Sequence, residues 1–230
     1  MEHPFLSIII PTYNEEAIIL ASLQALLTVT EKNEMVEIIV SDASTDRTAD
    51  IVSTFPVTLC RSVKGRSRQM NAGAELARGE ILYFLHADTL PPETFIDDIR
   101  SAVVSEKKAG CFRMDFDDDN PIMVLYGWCT RLPLMLCRGG DQSLFIERSL
   151  FTEINGFDEN LTIMEDIEII ARLKRRRQFH IIKKNVTTSS RKFHNNGIIR
   201  LQLIFGTIHL MYALGFSQES IIRYYSENII

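Results

Sequence analysis

The chain has 230 residues, of which 46% are hydrophobic and 24% charged, a composition that fits one globular domain with a substantial core. Its formal net charge of -5 argues against broad nucleic-acid binding, and no low-complexity segment or repeat is visible. Four cysteines without CxxC spacing indicate free thiols in a reducing compartment, and no basic and apolar leader opens the chain, so we expect a cytoplasmic protein.

The first half of the chain repeats one unit, which consists of a strand, a polar loop and a helix. Short apolar runs predict four strands, at residues 5–10, 36–40, 57–60 and 81–85. Thr12 or Asn14 is expected to cap the first helix, which apolar residues at helical spacing carry through Leu27. This alternation favours a parallel sheet with right-handed crossovers, in which the polar loops meet at one edge.

Asp88 follows the fourth of these apolar runs. A carboxylate at the end of a strand that is apolar on both faces lies where open α/β sheets bind ligands. Ala87 beside it is small, so a ligand can approach closely. The alternative is that Asp88 only stabilises a turn or caps the helix that Pro91 and Pro92 are expected to open.

The early loops carry acidic residues and no glycine-rich phosphate motif of the GxGxxG or GxxxxGK[ST] type. Asp42, at the end of the second strand, can accept hydrogen bonds from a base or a ribose. A phosphorylated ligand would then need a cation or a positive element. Arg66 and Arg68 supply positive charge at the start of a predicted helix, although a solvated basic loop is the alternative.

The second half is predicted to add three strands, at residues 110–114, 143–146 and 179–182. Residues 122–137 form an apolar run, which predicts either a core helix or one that faces a lipid or an acceptor. The acidic run 115–119 lacks EF-hand spacing, so we expect a solvated loop there rather than a calcium site.

Two predicted helices in the second half of the chain each allow more than one interpretation. Asp166 lies at a predicted helix start, where the dipole favours an ionised carboxylate, and it is either a functional acid or a simple cap. The basic run 174–177 closes that helix, and a membrane-surface role is the less favoured alternative. The apolar segment 198–216 contains Arg200 and His209, so we expect a buried or interfacial helix rather than a membrane span.

Several of these short motifs, in this order, resemble the family 2 glycosyltransferases of the GT-A fold. They are Ile8-Ile9-Ile10-Pro11-Thr12-Tyr13-Asn14-Glu15, Asp42 with Asp46, Gly65-Arg66 and His86-Ala87-Asp88. The resemblance covers residues 5–177. The QxxRW signature of processive members is absent, and Ser189-Ser190-Arg191 with Gly139-Gly140-Asp141-Gln142 resembles the small, single-domain bacterial members. It implies an α/β GT-A fold, with a Rossmann-like, mostly parallel central sheet flanked by helices. We place the nucleotide-sugar-binding and catalytic domain at 1–195 and a helical extension, packed on it, at 196–230.

The resemblance implies metal-dependent, inverting transfer of a hexosyl group from a UDP- or GDP-sugar to a hydroxyl of an unidentified acceptor. Asp88 would bind Mn²⁺ or Mg²⁺ in a DxD-like motif whose first Asp is replaced by His86, and Asp166 would be the general base beside Glu165. The expected nucleotide-binding residues are Pro11, Thr12, Tyr13, Asn14, Glu15, Asp42, Arg66, His86 and Ala87. The residues expected around the donor sugar and acceptor are Gly140, Asp141, Gln142 and Arg191.

Two other functions compete with this one. A nucleotidyltransferase has a similar sheet and an acidic metal site, but residues 11–16 lack the glycines usual after its first strand. A nucleotide-binding or membrane-associated scaffold without turnover is favoured by the unusual His86. Nucleic acid is not expected as a partner, while peripheral contact with the inner face of a membrane and a homodimer stay open.

Overall fold

The computed structural model describes residues 3–30 and 35–229, and in these ranges an eight-stranded sheet forms its centre. The strands are β1 (Leu6–Thr12), β2 (Val36–Asp42), β3 (Thr58–Arg61), β4 (Ile81–Phe84), β5 (Thr89–Leu90), β6 (Ala109–Phe116), β7 (Leu144–Glu147) and β8 (Phe179–Thr188). The helices are α1 (Ile19–Thr30), α2 (Thr48–Val52), α3 (Arg66–Leu76), α4 (Phe95–Val104), α5 (Pro121–Cys129), α6 (Arg148–Glu153), α7 (Glu165–Arg175), α8 (Arg191–Asn196), α9 (Ile198–Ala213) and α10 (Gln218–Asn228). Short 3-10 turns lie at Met135–Cys137 and Gly140–Gln142.

The strands lie in the order β3-β2-β1-β4-β7-β6-β8-β5. The first four are mutually parallel, as the sequence predicted, so the polar loops that follow β1, β2 and β4 meet at one edge. β7 runs antiparallel to both β4 and β6. Because Leu144 at the start of β7 pairs with Phe84 at the end of β4, the turn Gly140–Gln142 reaches the same edge.

Apolar side chains on both faces of the sheet hold the helices against it. Along β1, successive residues point to opposite faces, so Ile8 packs in a cluster with Leu23 and Phe95, while Ile9 packs with Met70 and Ile170. These six side chains are fully or almost fully buried. Because helices cover both faces of the sheet, β1 and β4 are almost continuous apolar runs.

The C-terminal helices α9 and α10 pack on α7. Their buried contacts with it are made by Ile204, Ile208 and Ile221 against Met164 and Ile167. No helix in residues 3–30 and 35–229 is both long and apolar enough to cross a membrane. The four cysteines are free, as predicted.

The expected start of the first helix was wrong. Helix α1 begins only at Ile19, because the side chains expected to cap it have partners in the next loop of the sheet. Thr12 donates its hydroxyl hydrogen to Asp42, and the amide oxygen of Asn14 accepts from the backbone N–H of Thr45. Local sequence contains no sign of these cross-strand partners.

Two further boundaries also differ from prediction. The pair Pro91-Pro92 does not open α4, which begins at Phe95 after the short strand β5. The run 122–137 is α-helical only to Cys129, since the chain then turns back toward β6 and continues through a proline that disfavours helix before it. In the acidic run Asp117 and Asp119 are exposed, as expected, while Asp117 also accepts a hydrogen bond from Ser190 N and Asp118 lies 2.9 Å from His194.

Candidate functional site

Asp42 anchors the loops at the carboxyl edge of the sheet. One of its carboxylate oxygens accepts from the hydroxyls of Thr12 and Ser44, at 2.8 and 2.6 Å. The other lies 2.7 Å from the Arg61 guanidinium, and the side chain is fully buried. Both oxygens are therefore occupied, so Asp42 lies beneath the loops, where it fixes their shape.

Hydrogen bonds to side chains that follow β2 fix the conformation of the loop after β1. Asn14 adopts a left-handed backbone conformation with φ 56°, and its N–H donates to Ser44 Oγ at 2.8 Å. The N–H of Glu15 donates to Thr48 Oγ1 at 2.9 Å. Tyr13 between Pro11 and Asn14 is exposed, and the Lys64 ammonium lies 3.9 Å from its ring centroid. A flat aromatic ring and main-chain groups are thus presented at the rim.

Arg66 joins the start of α3 to the start of α7. Its Nη1 lies 3.1 Å from Glu165 Oε1 and 3.6 Å from Asp166 Oδ2. Burial lowers the pKa of Arg66, but the charges of Glu165 and Asp166 outweigh burial and raise the pKa above its ordinary value. This guanidinium is a fixed positive charge at the predicted catalytic acids.

The two acids of α7 differ in access. Glu165 is 1% exposed, and burial, with the adjacent charge of Asp166, raises its pKa to about 7 despite the opposing charge of Arg66. The side chain of Asp166 is 15% exposed and faces the rim. A molecule in the cleft can therefore reach Asp166, whereas Glu165 lies behind it.

His86 and the turn at Gly140 complete this side of the site. Nδ1 of His86 lies 2.9 Å from Oδ1 of Asp141. Burial raises the pKa of Asp141, but the hydrogen bond with His86 and the charges of His86 and Arg66 outweigh burial and bring the pKa to about 2. A Cβ on Gly140 would overlap Asp166 Oδ2 and lie 2.6 Å from His86 Cε1. Glycine at this position therefore allows the turn to approach both side chains closely.

Glu15, Asp88 and Arg191 form the other side. Arg191 Nη2 lies 3.4 Å from Glu15 Oε2, and Ser189 N donates to the carbonyl oxygen of Asp88 at 3.1 Å. Burial first, and then the charge of Asp88, raises the pKa of Glu15, although Arg191 opposes both. The charges of Glu15 and Asp88 therefore act on one another across the rim. Within the described part of the chain, no group of three or more His, Cys, Asp or Glu side chains is placed to hold a metal ion.

The structure thus brings most of the predicted site residues to the carboxyl edge of the sheet. A few of them are buried beneath that edge. Thr12, Asp42, Ala87 and Gln142 are buried. With its amide nitrogen toward Cys137 O and its oxygen toward Arg138, Gln142 makes two 3.1 Å contacts inside its own loop.

Two supporting residues escaped the sequence reasoning. Gln69 Nε2 donates to the carbonyl oxygens of Thr12 and Ser41, at 2.6 and 3.0 Å, and so ties the ends of β1 and β2 to α3. Arg138 is 4% exposed and donates to the carbonyl oxygens of Thr130 and Leu132. Polar side chains of these types are usually exposed, so no local pattern marks them as buried.

The proteins that this chain is similar to are glycosyltransferases. The family model described as Glycosyl transferase family 2 matches residues 7–155. The probable glycosyltransferase YdaM of Bacillus subtilis is 26% identical over 198 residues, which cover 75% of this chain and 47% of that protein. An uncharacterized glycosyltransferase of Haemophilus influenzae is 26% identical over 231 residues, which cover 95% of this chain and 77% of that protein. This chain therefore spans about half the length of the first relative and about three quarters of the second.

Among solved structures, a mannosyltransferase from Pyrobaculum calidifontis, in complex with GDP-Man and Mn²⁺, superposes with a TM-score of 0.67. It is 19% identical and is matched over 93% of this chain and 65% of its own. At this identity the likeness concerns the fold alone, and it confirms the predicted GT-A architecture.

Proposed function

This chain belongs to glycosyl transferase family 2, and on that premise we propose that it moves a hexosyl group from a nucleoside diphosphate donor to an acceptor hydroxyl, with inversion. The observation that carries the proposal is the position of Arg66, in contact with both Glu165 and Asp166. It combines a fixed cation, suited to a diphosphate, with an accessible carboxylate, suited to a hydroxyl proton.

The donor would lie along the loops at the carboxyl edge of the sheet, where open α/β folds bind ligands. The exposed ring of Tyr13 and the backbone of Asn14 would contact the nucleoside, over the anchored Asp42. Arg66 and Arg191 lie on two sides of the rim and would each donate hydrogen bonds to diphosphate oxygens. A UDP-sugar and a GDP-sugar both fit this description.

The carboxylates present fit a divalent ion. Mg²⁺ and similar ions are commonly held by one or two carboxylates and by the phosphates of the substrate, so a cage of three protein ligands is not required. Asp88 would hold the ion, with Glu15 nearby. When bound, the ion would act as a Lewis acid that stabilises negative charge on the departing diphosphate. The Mn²⁺ in the Pyrobaculum complex supports this assignment.

Asp166 would act as the general base. The acceptor oxygen attacks the anomeric carbon, the bond from that carbon to the diphosphate oxygen breaks, and the hydroxyl proton passes to the Asp166 carboxylate. Arg66 would stabilise the charge that collects on the diphosphate. Because Asp166 and the leaving group would act from opposite sides of the anomeric carbon, a single displacement inverts its configuration.

The proposal is tested by following nucleoside diphosphate release from a panel of UDP- and GDP-sugars with Mn²⁺. We expect slow release by hydrolysis from at least one donor, and faster release when a suitable acceptor is added. Thermal-shift binding of a donor with no release from any member of the panel would instead favour a nucleotide-binding scaffold.

The metal assignment is tested with Asp88→Asn. We expect this variant to lose affinity for a nucleoside diphosphate in Mn²⁺ but to match the wild type in a chelator, because only the ion would link Asp88 to the diphosphate. Asp97→Asn in α4, whose side chain is 79% exposed, serves as the control. An equal loss with and without Mn²⁺ would contradict a metal role for Asp88.

A further inference from the structure

Exposed apolar side chains are concentrated in two segments of the chain. Among the described residues sixteen large apolar side chains are exposed, and ten of them come from the two segments 121–138 and 197–217. We call these ten the apolar face: Val124, Leu125, Trp128, Leu134, Leu136, Ile199, Leu203, Leu210, Leu214 and Phe216. Leu203 and Leu210 are 68% and 59% exposed. Contiguous apolar surface of this kind usually marks an interaction site.

Buried contacts bring the two segments of the apolar face next to each other. On α9, Leu201 packs with Met123 of α5, and Ile204 and Ile208 pack in the cluster that also contains Met135. These contacts place α5 and the segment around Met135 beside α9. The exposed row on α9 recurs at helical spacing on the opposite side from these buried residues.

The charge around the apolar face is one-sided. The chain has 30 acidic residues, yet the segments 121–138 and 197–217 contain none. Arg131 and Arg200 lie within these segments and are exposed. At their edge, Lys174 Nζ donates to the carbonyl oxygen of Pro133 at 2.9 Å, and the adjacent Arg175 is exposed. The two segments that carry the apolar face are therefore basic, in a protein whose net charge is -5.

We propose that the apolar face docks on the surface of a lipid bilayer that contains anionic lipids, with α9 lying parallel to the membrane plane. A leucine-rich helix face beside a tryptophan and basic residues is typical of interfacial membrane contacts. The basic residues would face anionic head groups, which attract Lys and Arg near the surface. The proposal does not depend on sugar transfer, so each can fail without the other.

A second copy of the chain fits this surface less well. In a twofold dimer the same patch meets itself, so its cations would face one another across a contact whose two segments contain no carboxylate. Like charges placed opposite each other across an interface oppose association. Charge complementarity therefore favours the anionic bilayer as the occupant.

Trp128 gives a direct readout, because it is the single tryptophan of the chain and is 48% exposed. We expect vesicles of phosphatidylcholine with phosphatidylglycerol to shift its fluorescence to the blue and to sediment the protein, with weaker effects from phosphatidylcholine alone. The double variant Leu203→Glu, Leu210→Glu should reduce vesicle partitioning about tenfold or more, since it places two carboxylates in the interface. The matched control is Leu76→Glu, Val104→Glu, which alters exposed apolar residues outside the face.

A second variant tests the charge argument. Lys174→Gln, Arg175→Gln should reduce the preference for anionic over neutral vesicles. Three results would overturn the proposal: no binding to either vesicle, equal binding to both, or an equal loss in the control variant. Analytical ultracentrifugation that shows a dimer abolished by Leu203→Glu, Leu210→Glu, without vesicle binding, would assign the face to a second copy instead.

Discussion

The two acidic residues that open α7 are neighbours in sequence but not in environment. Glu165 is buried behind Arg66, and its raised pKa means that charging it opposes folding. Asp166 is partly exposed at the rim, and its Oδ2 lies 3.6 Å from Arg66 Nη1. Gly140 lies close to both the Asp166 carboxylate and the His86 ring. Asp166 is therefore the accessible carboxylate, whereas Glu165 is buried and paired with Arg66.

Replacing Asp166 with Asn should remove the proposed base with little change in shape. We expect transfer to fall about 10²–10⁴-fold, because general-base assistance is typically worth that much, while donor affinity is retained. Initial rates and a thermal shift with donor measure the two effects. Asp97→Asn, the same change at an exposed position, should behave as the wild type. Normal turnover by Asp166→Asn would show that the base lies elsewhere.

Glu165→Gln should change how stability depends on pH. The folded-state pKa of Glu165 is about 7, above its ordinary 4.5, so its contribution is complete below about pH 4.5 and is lost as pH rises through about 7. Between these values the free energy of unfolding of the wild type should fall relative to that of the variant, by up to about 3 kcal/mol. Urea unfolding at several pH values measures the difference. A pH-independent difference would contradict the raised pKa.

At the scale of elements, the segment between α5 and β7 acts as one unit. Arg138 is buried in it and donates to the carbonyl oxygens of Thr130, Leu132 and Leu134. Its guanidinium thereby supplies hydrogen-bond donors to main-chain carbonyl oxygens of this segment. The result is a fixed position for Gly140 and Asp141 against His86.

Gly140→Ala tests the closeness of this packing. The new Cβ would overlap Asp166 Oδ2 and the His86 ring, so these side chains must shift, and we expect transfer to fall about 10²-fold. The unfolding midpoint should change little, because the displaced atoms are side-chain ends. Gly139→Ala is a close control, since its Cβ would meet nothing within 4 Å. Equal activity of the two variants would contradict the proposed geometry.

Elements that depend on local pattern were predictable from the sequence. The apolar runs of β1, β2 and β4 and the helix start at Glu165 lie within a few residues of prediction, because burial and period determine them. The antiparallel direction of β7 was not predictable, because strand direction depends on pairing with distant strands. For the same reason, motif order placed His86 and Asp141 in the site, but their 2.9 Å contact across 55 positions needed the folded chain.

At the scale of the whole molecule, the C-terminal helices are joined to the helix that carries the acids. Ile204, Ile208 and Ile221 share a buried cluster with Met164 and Ile167, directly around the start of α7. The position of Glu165 and Asp166 therefore depends on α9 and α10 as well as on the sheet. The assignment of 196–230 to an extension packed on the same domain remains a prediction that stability measurements can test.

Ile208→Ala should lower the free energy of unfolding by about 2–5 kcal/mol, because it leaves a cavity at a side chain that is 2% exposed. If α9 belongs to the same cooperative unit, the near-UV circular dichroism of the aromatic side chains packed on the sheet and the far-UV helical signal should change together. The control is Ile199→Ala on the exposed side of the same helix, where we expect a change within about 0.5 kcal/mol. Two separate transitions would contradict a single unit.

The contact between Glu15 and Arg191 joins positions 176 residues apart. During synthesis the first loop therefore leaves the ribosome long before its partner exists. The strands β1 to β4 can pair early, but the rim cannot close until nearly the whole described chain has emerged. A nascent chain arrested before residue 191 would carry a folded sheet edge and an incomplete cleft.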